Sequence, residues 1–162
     1  MTRNWKNISF VICLGIGLAS CSVPESVDNK PTLFTSIDPE QSGIHFSNDL
    51  SFSQTFNIYT YRNFYNGGGV GMGDVNNDGL VDVYLTGNQN GNKLYLNKGG
   101  FKFEDITAKA GVAGKQNWST GVSMADVNGD GLLDIYVCSS GNVQGDPDKQ
   151  NELFINNGDL TF

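Results

Sequence analysis

Apolar and polar residues alternate along two stretches of this chain. Val81, Val83 and Leu85 are interleaved with Asp82, Tyr84 and Thr86, and Leu133, Ile135 and Val137 with Asp134, Tyr136 and Cys138. A period of two marks a β-strand, because successive side chains of an extended chain point to opposite faces. The β-branched and aromatic content agrees with that reading. Both faces are fairly apolar, so each strand is expected to be packed on two sides. Leu94-Tyr95-Leu96 and Leu153-Phe154-Ile155 predict further strands, ending in hairpin turns at Asn97-Lys98-Gly99-Gly100 and Asn156-Asn157-Gly158-Asp159. Helical periodicity is weak throughout, with room for one short turn at residues 108–110.

These stretches belong to an internal repeat. Residues 69–84 and 121–136 match at most positions at a constant offset of 52, and residues 92–99 match residues 151–158 at an offset of 59. The second copy therefore carries seven extra residues, within residues 139–150, whose Gly, Asp and Pro content predicts a surface loop. A fainter copy precedes the first full one: Phe34, Ile37 and Gly43-Ile44 repeat the order of Phe103, Ile106 and Gly111-Val112. Leu160-Thr161-Phe162 corresponds to Phe101-Lys102-Phe103, so the last residues fall inside a repeat unit. A fragment or truncated product is the expectation, with an exposed end prone to associate.

Each strand pair brackets an acidic loop, Asp74-Val75-Asn76-Asn77-Asp78-Gly79-Leu80-Val81-Asp82 and Asp126-Val127-Asn128-Gly129-Asp130-Gly131-Leu132-Leu133-Asp134. Calcium takes about six to eight oxygens, and a loop supplies them when alternate residues point the same way. The candidate side-chain ligands are Asp74, Asn76, Asp78 and Asp82, and Asp126, Asn128, Asp130 and Asp134. The backbone carbonyls of Leu80 and Leu132 complete each set. Gly79 and Gly131 permit the bend that turns those carbonyls inward. An EF-hand would need Glu at the twelfth position, where Leu85 and Val137 stand. A metal-free Asn/Asp/Gly turn is the alternative, but two loops with the same ligands favour two structural calcium ions. Three carboxylates crowded into one turn repel one another, so the empty loop is expected to be loose.

The D-x-N-x-D-G-x-x-D loops, together with N-x-L-[YF]-x-N at residues 92–97 and 151–156, resemble the FG-GAP or VCBS repeat of bacterial extracellular proteins. That module is similar to the calcium-loop blades of the integrin α-subunit β-propeller. The resemblance implies an all-β fold of propeller-type blades, each of about four strands with calcium in the loop between two of them. It carries the ligand role onto the loop residues named above. A propeller closes with about four to eight blades, whereas two full loops and part of a third unit are visible, so the propeller is expected to be incomplete.

The first twenty residues stand apart from any fold. Arg3 and Lys6 form a positive start, residues 8–19 are apolar, and Leu18-Ala19-Ser20-Cys21 follows, the order of a signal peptide. The last four residues resemble a bacterial lipobox, which would make Cys21 a lipidated N-terminus; an ordinary signal cut nearby would leave Cys21 a spectator. Residues 1–20 are thus expected to be a lipoprotein signal, 21–32 a flexible tether, and 33–162 the repeat region. Export to the cell envelope, as an outer-membrane lipoprotein held through Cys21, follows from the first reading. Loss of the signal removes two cations and no acid, taking the net charge from −7 to −9. Such a surface disfavours nucleic acid and suits divalent cations. With Cys13 removed and Cys21 acylated, only Cys138 remains, so no internal disulfide is expected.

Other motifs lead nowhere catalytic. Residues 67–73 are glycine-rich but run into an acidic turn that would repel phosphate, so these glycines are expected to let strands approach closely. The stretch from Gly121 nearly matches a nucleophile elbow at Ser123 but ends in Ala125. His45 is expected to be a partly buried structural histidine, and Cys138 a small buried strand residue. Tyr59, Tyr61, Phe64 and Tyr65 read as sheet packing or as a platform for a sugar. Asn117-Trp118-Ser119 fits a glycosylation sequon, without force in a bacterial lipoprotein. The function expected is non-enzymatic: a calcium-binding module that displays residues 139–150 to a protein or glycan. The alternative is the non-catalytic propeller part of a larger glycan-processing or redox enzyme.

Overall fold

Each predicted strand on either side of the acidic loops forms. In a computed structural model that describes residues 33–115, 118–140 and 150–162, the first repeat builds a four-stranded antiparallel sheet of β1 (Val70–Gly73), β2 (Asp82–Leu85), β3 (Lys93–Asn97) and β4 (Phe103–Asp105), paired in that order. The second builds a three-stranded sheet of β5 (Ser119–Ala125), β6 (Asp134–Ser139) and β7 (Glu152–Phe154). The signal, the tether and most of the 139–150 loop lie outside the described residues. The fold is all-β, an incomplete propeller-like array in which neither sheet closes into a barrel. Among the described residues no helix is long and apolar enough to cross a membrane.

The repeat holds to the level of register. Gly71 pairs with Tyr84 and Tyr84 with Leu94 in the first sheet, and Ser123 pairs with Tyr136 and Tyr136 with Leu153 in the second. The faint earlier copy is real as well. Helix α1 (Pro39–Ser42) ends at Gly43 (φ 77°) and helix α2 (Thr107–Ala110) ends at Gly111 (φ 75°). Both glycines adopt the left-handed conformation that ends a helix without a Cβ penalty. Gly43 lies against the carbonyl of Phe103, and Gly111 against that of Phe162, its counterpart one repeat later. The short turn expected at residues 108–110 is α2.

The core lies between the sheets. Tyr84, Leu94 and Leu96 of the first sheet face Ile135 and Val137 of the second, with Val122, Met124 and Phe154 packed against them, and Ile106, Ala110 and Val112 closing one side. The glycine-rich run allows this approach. A Cβ on Gly69 would sit 3.0 Å from the Gly121 Cα, and one on Gly71 would sit 3.2 Å from the Val122 methyls. Close strand packing was the expectation for these glycines, and it is what they provide.

Two-sided packing is met on β2 and fails on β6. Asp82, Tyr84 and Thr86 are buried while Val83 and Leu85 are half-buried. The Tyr84 hydroxyl donates to the Val112 carbonyl at 2.6 Å, and burial pushes its phenol pKa up. Tyr136, the equivalent residue, is 40% exposed, and Leu153 beside it 49%. The face they share is open to solvent.

Three further expectations need adjustment. His45 is exposed, with Nδ1 4.0 Å from a Glu40 carboxylate oxygen: the segment alternates as expected, but Ile44 and Phe46 take the inner side. Cys138 is half-buried rather than buried, because its side of β6 is the open one. The four aromatics divide instead of packing together on a sheet. Tyr61 and Phe64 form a small separate core with Trp118, joined by Leu50 and Phe56, while Tyr59 and Tyr65 are exposed.

Candidate functional site

The acidic loops join β1 to β2 and β5 to β6, and hydrogen bonds to their first residue shape both. In the first loop Asp74 Oδ1 accepts from the Asn76 and Asp78 amides at 3.3 and 3.1 Å, and Oδ2 from the Gly79 amide at 2.7 Å. In the second, Asp126 Oδ1 accepts from Gly129 and Asp130 at 2.6 and 3.2 Å, and Oδ2 from Gly131 at 2.9 Å. For Asp126 the Gly131 amide is the largest influence, and its carboxyl is held below the usual range. For Asp74 burial pushes the pKa up, but the nearby amides of Gly79, Asp78, Asn76 and Asn77 together outweigh burial and the net shift is down. Gly79 (φ 85°) and Gly131 (φ 86°) make the expected bends. A second left-handed position escaped sequence reading: Asn77 (φ 59°) and Gly129 (φ 82°), Asn being the side chain that best tolerates that region.

The third and fifth residues follow the same plan. Asn76 Nδ2 donates to Asp78 Oδ2 at 3.0 Å and Asn128 Nδ2 to Asp130 Oδ2 at 2.8 Å. The Leu80 and Leu132 amides each donate to the other oxygen of the fifth residue at 2.8 Å.

The ninth residue is different in kind. Asp82 is fully buried, and its two oxygens accept from the Val75 and Asn97 amides at 2.9 and 2.7 Å. Asp134 takes the Val127 and Asn156 amides at 3.0 and 2.8 Å. The ninth Asp thus ties the start of the loop to the end of the third strand in the first repeat and to the segment just after it in the second. Burial raises the Asp82 pKa above the usual carboxylate value; the two amides work against that, and the charges of Asp78 and Asp74 add to the rise. Among the described residues no group of three or more His, Cys, Asp or Glu side chains is gathered closely enough to hold a metal ion by itself.

The donor set nonetheless fits a hard cation in kind. It contains only carboxylate, amide and peptide oxygens, the ligands calcium prefers. An ionised carboxylate has about four lone-pair positions, so Oδ2 of Asp74 and of Asp126 and both oxygens of Asp82 and Asp134, each with one amide donor, leave capacity for a cation.

The two loops also touch. Asn77 Nδ2 donates to the Gly131 carbonyl at 3.2 Å. Asn156 Nδ2 reaches back to the Val75 carbonyl at 2.8 Å and to the Leu133 carbonyl at 3.1 Å, and its Oδ1 accepts from the Gly158 amide at 2.9 Å. Among the described residues Asn97, its counterpart, holds only Val81 and Gly99 of its own repeat. The terminal Asn of N-x-L-[YF]-x-N is thus a clamp on the acidic loop, and in the second copy it also binds the first. The leading Asn is structural too. Asn92 is buried, and its Oδ1 accepts from the Gly87 amide at 3.0 Å; Asn151 accepts from the Ser139 amide and donates to the Tyr136 hydroxyl. Ser123 is exposed on the open side of the second sheet, opposite Tyr136.

Residues 74–137, from the first Asp of the first loop to the end of the second, match the model of the FG-GAP-like repeat. The chain carries an FG-GAP-like repeat. This repeat is a non-catalytic, β-propeller-like binding module. Similar proteins include cartilage acidic protein 1 of Mus musculus, 31% identical over 112 residues, which make up 67% of this chain and 17% of that protein. The Xenopus tropicalis protein of the same name is 33% identical over 104 residues, covering 62% of this chain and 15% of its own length. The Homo sapiens protein is 31% identical over 109 residues, covering 65% and 16%. The chain therefore spans about one sixth of the length of these curated relatives.

Proposed function

We propose that this chain is a calcium-ordered binding module displayed at a bacterial cell envelope. The observation that carries the metal reading is the near bond-for-bond equivalence of the two loops, each built from hard oxygen donors on the same backbone frame. Asp74, Asn76, Asp78 and the Leu80 carbonyl would hold one calcium ion, and Asp126, Asn128, Asp130 and the Leu132 carbonyl the other. Asp82 and Asp134 would complete the sets with the lone pairs their amide partners leave. The ion's contribution is charge. It would offset the mutual repulsion of three carboxylates, one of them buried, and so stabilise the loop without taking part in any reaction.

Calorimetric melting of the mature chain tests this. Calcium at a hundredfold its Kd stabilises by about 2.7 kcal/mol per site, so melting temperature should rise with calcium and fall back with chelator. Asp78→Ala with Asp130→Ala should abolish that rise, and His45→Ala should preserve it. A melting temperature indifferent to calcium sinks the metal reading.

The binding role is supported by the repeat itself, and a protein or glycan is the class of ligand proposed. Anchoring through Cys21 rests on the lipobox-like residues 18–21. Fractionation of cells expressing Cys21→Ala tests it: the variant should leave the outer-membrane fraction, and retention there refutes the anchor.

A further inference from the structure

The insertion before β1 is the feature the repeat does not explain. Gly43 and Gly69 are 26 positions apart, whereas their counterparts Gly111 and Gly121 are 10 apart, so the first repeat carries 16 additional residues between its short helix and its first strand. Loops that long without regular structure are commonly functional. This one has a core of its own. Phe56, Tyr61, Phe64 and Trp118 meet with ring centroids 4.9 to 5.7 Å apart, three of those contacts edge-on, and Asn48 and Gln89 bond the loop to the body of the protein.

Upon that frame three aromatic rings face solvent. Phe52 is 76% exposed, Tyr59 94% and Tyr65 64%. They surround an open groove of about 580 Å³ that is also lined by Gln54, Asn57 and Ile58. Their exposure goes with a fixed backbone. Asn57 accepts from the Tyr59 amide at 2.9 Å and donates to the Ser53 and Gln54 carbonyls, while the Tyr61 amide bonds the Asn57 carbonyl at 2.8 Å. The Tyr65 ring stands edge-on against buried Phe64, 4.9 Å between centroids. Exposed apolar rings gathered around one groove are unfavourable in water and signal a binding surface.

We infer that this groove binds a neutral carbohydrate, with Tyr59 and Tyr65 stacking on sugar rings. This deepens the ligand-binding role proposed above and rests on it. Three observations select the ligand class. The volume lies in the range of small-ligand sites, about 300–1,000 Å³, which is one or two sugar units and too narrow for a protein face, whose interface would bury about 800 Å² per partner. The lining contains no Asp, Glu, Lys, Arg or His in a chain of net charge −7, so nothing there pairs with a charged ligand. The polar groups left for a ligand are the Gln54 amide and the phenols of Tyr59 and Tyr65, which suit sugar hydroxyls, while the C–H face of a sugar lies on an aromatic ring.

Isothermal titration of the calcium-loaded mature chain with cellohexaose, xylohexaose, mannohexaose and laminarihexaose tests the inference. At least one should bind, and Tyr59→Ala and Tyr65→Ala should each weaken it by about tenfold or more. Tyr59→Ala should leave the melting temperature unchanged, since its ring is 94% exposed, and Tyr65→Ala, which also loses its edge contact with Phe64, should keep the parent's circular dichroism spectrum. Absence of heat with all four sugars at millimolar concentration overturns the inference. Binding that survives the double variant overturns this site while leaving the module's binding role intact. Tyr59-dependent binding of a polypeptide, with no sugar bound, overturns the ligand class and again spares that role.

Discussion

Truncating Asn156 separates a clamp that joins two repeats from one that serves a single repeat. Asn156 is 3% exposed and its side chain makes three hydrogen bonds, to the Val75 and Leu133 carbonyls and from the Gly158 amide. Alanine would orphan the buried Val75 carbonyl and remove a partner from the half-buried Leu133 carbonyl and the exposed Gly158 amide. At about 2 kcal/mol for the orphaned buried carbonyl and about 1 kcal/mol for the two partners that water can reach, the loss is about 3 kcal/mol. Asn97 makes two bonds, in a half-exposed position where water can replace them, so Asn97→Ala should cost about 1 kcal/mol. For a unit of this size, 1 kcal/mol corresponds to about 4 °C. Thermal melts followed by circular dichroism, at one fixed calcium concentration, should therefore place the variants about 12 and 4 °C below the parent. Asn156→Asp is the sharper control. It keeps the acceptor for Gly158 but sets a carboxylate against two carbonyls, so it should be worse than alanine. If Asn97→Ala costs as much as Asn156→Ala, the inter-repeat bond contributes nothing and the reasoning fails.

Other outcomes follow from the same structure. Tyr84→Phe should lose about 1–2 kcal/mol in urea melts, because it orphans the buried Val112 carbonyl, while Tyr136→Phe should lose less than about 0.5 kcal/mol; equal losses would mean that the open face is covered. Gly69→Ala should cost about 1–3 kcal/mol, since the atoms its Cβ meets are β5 backbone, and Gly71→Ala less, since methyl groups can shift; thermal melts of the pair decide, and equal costs would contradict the close approach at Gly69. Burial raises the Asp105 pKa, but its bonds from Lys93 at 2.8 Å and from Thr107 carry the net value below 3.8. A carboxyl depressed in the folded state contributes stability above its unfolded pKa and loses it as pH falls through the folded one. Asp105→Asn should therefore flatten the loss of stability below about pH 4 in melts taken across the acid range; an unaltered acid limb refutes the pairing.

Much of this protein was legible because its information is local or repeated. Strands of period two, glycines at the two bends and the faint α1 copy depend on φ/ψ preferences and side-chain alternation, which a short window carries. The offset of 52 residues even transmitted the strand register, since equal turns impose equal pairing. Which face of β2 is buried was not legible. Asp82, Tyr84 and Thr86 alternate with Val83 and Leu85, both sets are apolar enough to pack, and only the second sheet and Val112 select the first. The ninth Asp reads as one more ligand in the motif; its turn inward to the Val75 and Asn97 amides depends on a strand 15 residues further on. Tyr59 and Tyr61 are indistinguishable by composition, and Trp118, from the following repeat, decides that one is core and the other surface. The bond from Asn156 to Val75 spans 81 residues. Sequence by itself determined the repeat, its strands and its loops, because each is set by neighbours along the chain. Burial, the clamp between repeats and the aromatic groove came only with tertiary structure, because each depends on a surface supplied by a distant segment.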